Sequence, residues 1–493
     1  MDIIQLPITI MASKGPVCLS YVFLKPEEAT FIELIRLLFS SDIEKRNFIT
    51  SSAVRKLDFK RRLLIFFSTV IQCILLLFRK PMAWLGGVLE KWLNLVSSNG
   101  GLLMLILNWL KGKVVIPDTS STKSLLGFLD TRIELDDNMK PDDTRYKGSL
   151  SMMAAKLSYE NEEFTEKVVS EYWKMKLVAF YEFWNGYEKR ESTQAFVFQD
   201  TTSDPNLVWV AFRGTEPFSA DDWRTDFDIS WCEFAGIGKT HGGFMKALGM
   251  QTEQSWPLEP ETEDHEFAYY KIRQILMDLL QENKNAKFIL TGHSLGGALA
   301  VLFASVLAMH DYEEKYAWLM EKLEGVYTFG QPRVGDEKFA GYVTKKLKNY
   351  GVRYMRYVYS NDLVPRVPFD DTTLLFKHVA PCLYFNSFYK GKELEEAPNK
   401  NYFNLLFFIP MRLNALWELI RSFILPLIKG SEYKESWLMI MARFFGLIFP
   451  GLVAHAPQDY VNVTRLGSIP SHMPLPKAYL QKINLKLIQV MLV

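Results

Sequence analysis

The sequence predicts an α/β fold, a mostly parallel central sheet with covering helices, plus an apolar helical segment toward the N-terminus. Three observations predict it. From about residue 149 to 384, strand-like apolar runs alternate with stretches of helical spacing. One run passes through a glycine-crowded turn, "TGHSLGGALA", into an uninterrupted apolar stretch. Residues 63–110 form a strongly apolar block that stands apart from both.

Taken in order, "MDIIQLPITIMASKG" begins with an acidic Asp2 and a short apolar stretch broken by Gln5 and Pro7. It is not read as a cleaved secretory signal. Leu63 to Phe78 is uncharged and bracketed by Lys60-Arg61-Arg62 and Arg79-Lys80. Those 16 residues make about 24 Å of helix, short of a hydrocarbon core of roughly 30 Å. A hairpin that enters and leaves a lipid surface on one side, bent near Pro81 or Gly100-Gly101, fits better than a straight span. The alternative is a buried helix pair packed on the main domain. "FVFQD" and "LVWVAFRG" read as strands joined by "TTSDPN", "FAYYKIRQILMDLLQENKN" as a helix, and "KFILTG", "GVYTFG" and "VRYMRYVYS" as further strands. The implied division is 1–60, an anchoring segment 61–112, and a catalytic domain 145–493 carrying an apolar, basic insertion at about 386–450.

The chain has 493 residues with 57 Lys+Arg against 56 Asp+Glu, a net charge of +1. Nothing in that balance points to nucleic acid. The 4 cysteines, Cys18, Cys73, Cys232 and Cys382, are scattered. They are expected to form neither a metal site nor a disulfide framework, which favours a reducing, cytosol-facing compartment. No metal constellation is visible, and no cofactor is expected.

The glycines around Ser294 pose the chemical question. Gly-His-Ser-Leu-Gly is the pattern of a nucleophile elbow, a strained strand-to-helix turn that exposes a serine. The pentapeptide alone is weak, because it also marks ordinary tight turns. A serine nucleophile needs a base and an orienting acid, which in such folds follow it in the order Ser, Asp, His. Asp362 follows the strand-like "VRYMRYVYS", at the place for the acid. Of the histidines that come later, His472 sits in the Pro-rich "SIPSHMPLP", while His378 and His455 are close rivals on spacing. Two backbone donors must face the developing oxyanion. Leu295, after the nucleophile, and Thr215, in "VAFRGTEP", are the candidates, with the Thr215 hydroxyl as an added donor.

"FRGTEP", "HGGF", "TGHSLGGALA", "TFGQPRVGD" and "NDLVPRVP" occur in the order in which the class 3 (fungal-type) lipase family carries matching motifs. The sequence resembles that family over roughly residues 195–460, and its apolar N-terminal segment and long insertion look like the plant oil-body branch. The resemblance implies an α/β-hydrolase-type enzyme that cleaves acyl esters of glycerolipids. It assigns Ser294 as nucleophile, Asp362 as acid, His455 as base, and Thr215 and Leu295 as oxyanion donors. His455 is similar to the family's histidine because an aromatic, Tyr460, follows it, five residues on rather than about three. "PFSADDWRTDF" stands where members carry a lid. A triacylglycerol lipase on a lipid droplet, or on endoplasmic reticulum membrane, is the reading this favours. The alternatives are a phospholipase A1 or galactolipase on membranes and a non-catalytic droplet scaffold.

Overall fold

Leu207–Phe212, LVWVAF, has every residue buried, as a strand covered on both faces must. In the computed structural model, which describes residues 16–468 apart from 138, 142, 144, 204, 205 and 372, it is one of eight strands in the central sheet. They are β1 (Lys176–Asn185), β2 (Arg190–Asp200), β3 (Leu207–Phe212), β4 (Lys287–His293), β5 (Leu323–Phe329), β6 (Arg353–Tyr359), β7 (Cys382–Phe385) and β8 (Gly391–Leu394). Their spatial order is their chain order. β3 through β7 run parallel, and β1, β2 and β8 complete the edges antiparallel. Residues 1–15 and His472 lie outside the described residues.

The helices that matter for the site are α1 (Phe59–Ser98), α2 (Leu102–Leu110), α3 (Ala220–Phe227), α4 (Leu295–Met309), α5 (Phe408–Lys429), α6 (Trp437–Gly446), α7 (Pro450–Val453) and α8 (Pro457–Leu466). α4 is buried along all of its 15 residues, and its run of Ala and Gly among Leu and Val lets it lie close on the sheet.

A second sheet of short strands was not anticipated. Cys18–Leu24 pairs antiparallel with Ile49–Ser52 on one side and Trp231–Phe234 on the other. Gly238–His241, Gly335–Asp336 and Phe376–Lys377 extend it. The residues before the apolar block therefore share a sheet with the catalytic domain. The same pairing corrects the reading of the cysteines, because Cys18 and Cys232 form a disulfide across a sequence separation of 214. Cys73 and Cys382 are free. Cysteine usage thus gives no reason to expect a reducing compartment.

The apolar block is two helices, and the break between them lies at one of the two places where a bend was expected. α1 runs unbroken through Pro81 for 40 residues, about 60 Å. Pro81 removes the N–H that would bond to residue 77, but both residues are exposed, so no buried carbonyl is orphaned. The reversal comes at Gly100 and Gly101, at φ 77° and 106°, values that glycine adopts without strain. Asn99 closes it: its amide donates to the Val115 carbonyl at 2.8 Å, and its oxygen accepts from Val115 N–H at 3.0 Å.

α1 is inside out. The side turned to the protein carries Ser68, Thr69, Gln72, Gly86 and Asn94 together with the apolar Ile65 and Leu93, while Leu77, Trp84 and Leu85 face outward. Ser68 donates to the Phe227 carbonyl at 2.6 Å, and Arg79 pairs with Asp221 at 3.3 Å. Both partners are on α3, so α1 lies along the catalytic domain. Gly86 sits at the closest approach, where a Cβ would lie 2.6 Å from Phe218 Cβ. Gly86→Leu should lower stability by about 1–3 kcal/mol, seen as a lower urea midpoint. Leu77→Ser on the outer face should move that midpoint by less than about 0.5 kcal/mol.

Candidate active site

Ser294 stands between the end of β4 and the start of α4 at φ 58°, ψ −129°. A serine in the left-handed region is strained, and the surroundings have to hold it there. Glycine makes this possible at two positions. A Cβ on Gly292 would lie 2.1 Å from the carbonyl carbon of Gly296, and one on Gly296 would lie 2.1 Å from the Phe212 oxygen at the end of β3. The strand end, the helix start and the neighbouring strand therefore close on one point. Ser294 N–H donates to the Phe329 carbonyl of β5 at 2.9 Å. The sequence has built an elbow.

The acid arrives at the end of β6. Asp362 is fully buried. Its Oδ1 accepts from Val364 N–H at 2.8 Å, and its Oδ2 accepts from His455 Nδ1 at 2.8 Å and from the Tyr460 hydroxyl. Arg366 fixes the turn by donating to the Asp362 and Ser360 carbonyls. His455, on the turn between α7 and α8, keeps its Nε2 buried without a hydrogen-bond partner. One ring nitrogen is thus oriented by a carboxylate and the other is open. The bond from Ser294 Oγ to Nε2 is not formed in this structure.

His293, beside Ser294, does the joining. Its ring stacks on His455 with centroids 4.5 Å apart, and its Nε2 donates to the His455 carbonyl at 2.9 Å. The Tyr159 hydroxyl donates to His293 Nδ1 at 2.9 Å. Burial, reinforced by the neighbouring His455, holds the His293 pKa well below the usual histidine value. The ring stays neutral and acts as a strut. Gly330, at φ 60°, leaves the room that the pair needs. A Cβ there would sit 2.7 Å from His455 Cε1 and 3.0 Å from Asp362 Oδ2.

The rival histidine goes elsewhere. His378 is buried with its Nε2 donating to the Pro365 carbonyl at 2.7 Å. Burial, with Arg356 and Arg333 nearby, depresses its pKa far below normal. His241 caps the helix Gly242–Leu248 by accepting from Phe244 N–H at 3.3 Å, and burial pushes it down to about 4. Thr215 lies in a loop pressed against the elbow, since a Cβ on the preceding Gly214 would meet the His293 carbonyl at 2.5 Å. Its hydroxyl donates to Asp226 Oδ2 at 2.7 Å, so the side chain is committed there and only its backbone N–H is left for an oxyanion. Burial raises the Asp226 carboxyl to about 7, although the Thr215 hydroxyl opposes the shift. Leu295 opens α4, so its N–H belongs to the helix's first turn. Trp223, in the expected lid segment, donates to the Pro217 carbonyl at 3.1 Å and stacks on Phe227. That segment is α3, against which α1 is laid.

Sequence reasoning missed Tyr159, whose partner His293 lies 134 residues away. It used Tyr460 only as a spacing mark and passed over Gly330 inside a quoted motif. No group of His, Cys, Asp and Glu among the described residues could hold a metal ion.

A serine on a strained strand-to-helix turn, with a buried aspartate and an aspartate-bound histidine beside it on a largely parallel sheet, defines an α/β-hydrolase-type protein. Residues 209–372 match the family model described as Lipase (class 3). The chain is 42% identical over 481 residues to triacylglycerol lipase OBL1 of Nicotiana tabacum, covering 82% of this chain and 83% of that one. It is 40% identical over 495 residues to triacylglycerol lipase OBL1 of Arabidopsis thaliana, covering 91% and 95%. A solved triacylglyceride lipase of Rhizomucor miehei aligns at 21% identity and a TM-score of 0.37, over 50% of this chain and 82% of that one. The chain belongs to the class 3 lipase family, in its oil-body branch.

Two variants separate the histidines. His455→Ala should cut the kcat for ester cleavage by about 10⁴-fold or more, while His378→Ala should lower the melting temperature and leave kcat within a few-fold. Tyr460→Phe removes one donor from the buried Asp362 carboxylate and should cost about 10- to 100-fold in kcat, from roughly 1.5–3 kcal/mol for a charge-assisted hydrogen bond.

Proposed function

We propose that the chain hydrolyses acyl esters of triacylglycerol at a lipid-droplet surface through an acyl-serine intermediate. The supporting observation is the Asp362–His455 bond, which leaves Nε2 without a partner on a ring stacked against His293, the residue before the elbow serine. His455 Nε2 takes the Ser294 proton as Oγ attacks the ester carbonyl, and the backbone N–H groups of Thr215 and Leu295 receive the oxyanion. Asp362 holds the ring with Nδ1–H toward itself and stabilises the imidazolium. Collapse expels diacylglycerol, which leaves with the proton from His455. Water, deprotonated by the same nitrogen, then attacks the acyl-serine and releases fatty acid. The whole-length relatives named as triacylglycerol lipases support this substrate class.

The outer face of α1 and α2 supports this placement. Helix α1 is long and apolar enough to cross a membrane, yet only 22% of its most apolar window is buried in the protein. A droplet has an oil interior and no second aqueous side, so a hairpin laid on it keeps the catalytic domain in the cytosol.

Purified full-length protein on emulsified triolein should release fatty acid, faster than on diolein or phosphatidylcholine. Ser294→Ala should lower that rate on the order of 10⁶-fold. Ordinary triolein cleavage by that variant would refute the assignment, and a preference for phosphatidylcholine would make the chain a phospholipase. Placement has its own check: Leu77, Trp84 and Leu85 changed together to serine should reduce flotation with oil while leaving soluble butyrate ester hydrolysis unchanged.

A further inference from the structure

The insertion that carries α5 and α6 is built the wrong way round for water. Along α5, Glu418, Arg421 and Ser422 point into the protein among the smaller set of apolar residues Met411, Ala415, Leu419 and Leu425, while Leu413, Phe423 and Leu427 point out and are each more than half exposed. α6 repeats the pattern, with Arg443 buried and Trp437 and Phe444 exposed. Buried ion pairs hold both helices in this orientation. Arg443 is held by Asp459 at 2.7 Å and Glu435 at 2.9 Å, and Arg421 is held by Asp459 at 2.8 Å. The Tyr359 hydroxyl donates to Glu418 at 2.8 Å. Rotating either helix would tear buried charges from their partners.

This ionic plate also ties the insertion to the chemistry. Asp459 directly precedes Tyr460, whose hydroxyl holds Asp362. The outer face continues through the exposed Phe449 and Leu452 to within three residues of His455. Its charges suit one kind of partner. Of the three acidic residues between 403 and 453, Glu418 and Glu435 are buried and Glu432 is paired with Arg465. Lys429 and Lys434, in contrast, are exposed at its edge. A broad apolar surface with cations at its margin and no unpaired carboxylate matches an oil–water interface coated with phospholipid headgroups.

We infer that the outer face of α5–α7 is a second lipid-contact surface, which lies on the droplet beside α1 and α2 and sets the entrance to the catalytic serine at the oil. The inference rests on the lipase reading above and adds which face meets the substrate phase.

The test is a triple variant, Leu413→Glu, Phe423→Glu and Leu427→Glu, assayed as full-length protein on triolein emulsified with phosphatidylcholine and on a soluble butyrate ester. The expected result is at least a tenfold loss on the emulsion and weaker flotation, with butyrate turnover and melting temperature unchanged. A second variant, Leu413→Met, Phe423→Leu and Leu427→Met, should behave as wild type on both substrates. The inference is overturned if the glutamate variant keeps its emulsion rate and flotation. It is equally overturned if both substrates suffer alike, since the face would then serve the fold, or if the only change is from dimer to monomer in sizing. Absence of butyrate hydrolysis in the wild-type protein would instead sink the lipase reading itself.

Discussion

A carboxylate with no access to water must have its lone pairs filled, and Asp362 is such a group. Filling them gathers distant parts of the chain. Val364 N–H comes from the same turn, Tyr460 from α8, and His455 from the turn before it. Because His455 must lie against Asp362, the end of β5 has to give way, and that is why position 330 carries no Cβ. Because the His455 backbone is held by His293, the helix turn after α7 is tied to the elbow, and Tyr159 holds His293 from the other side. On a sheet whose own pairing sets β4, β5 and β6 side by side, this one buried acid ties their ends to α8.

The accessory helices obey an opposite rule. In a water-soluble protein a surface helix turns its apolar stripe inward and its charges outward. α1 and α5 turn Ser68, Gln72, Asn94, Glu418 and Arg421 inward and present leucine and phenylalanine. Polar groups on the inner faces find partners, Ser68 in the Phe227 carbonyl and Asn94 in both backbone groups of Lys123. An arrangement of this kind leaves large apolar area in water unless another apolar phase covers it. The protein holds its helices by hydrogen bonds and ion pairs set among a few buried apolar side chains, Ile65 and Leu93 on α1 and Met411, Leu419 and Leu425 on α5, and leaves most of their large apolar side chains outside.

The chemistry was largely legible because it depends on local rules. A strained serine demands glycines at fixed offsets, and an acid after a strand leaves a turn signature, so Ser294 and Asp362 stood out. His455 could not be separated from His378 by spacing, since both follow apolar segments. Only packing sends one to Asp362 and the other to the Pro365 carbonyl. The Thr215 hydroxyl illustrates the same limit: its chemical type fits a donor to an oxyanion, yet folding places Asp226 in front of it.

Hydrophobic pattern and turn chemistry by themselves determined the α/β alternation, the elbow at Ser294, the turn after a strand that carries Asp362, and the presence of an apolar helical block. Those properties are set by neighbours within a few residues along the chain, whose steric and solvent preferences are written in their side chains. Tertiary structure alone decided the pairing of Cys18 with Cys232, the second sheet that fastens the N-terminal strands to the domain, and the direction in which each apolar helix faces. An apolar stripe reads the same whether it meets a protein core or an oil. Which of the two it meets depends on what the opposite stripe can bond to, and for α1 and α5 those partners lie far away in the chain.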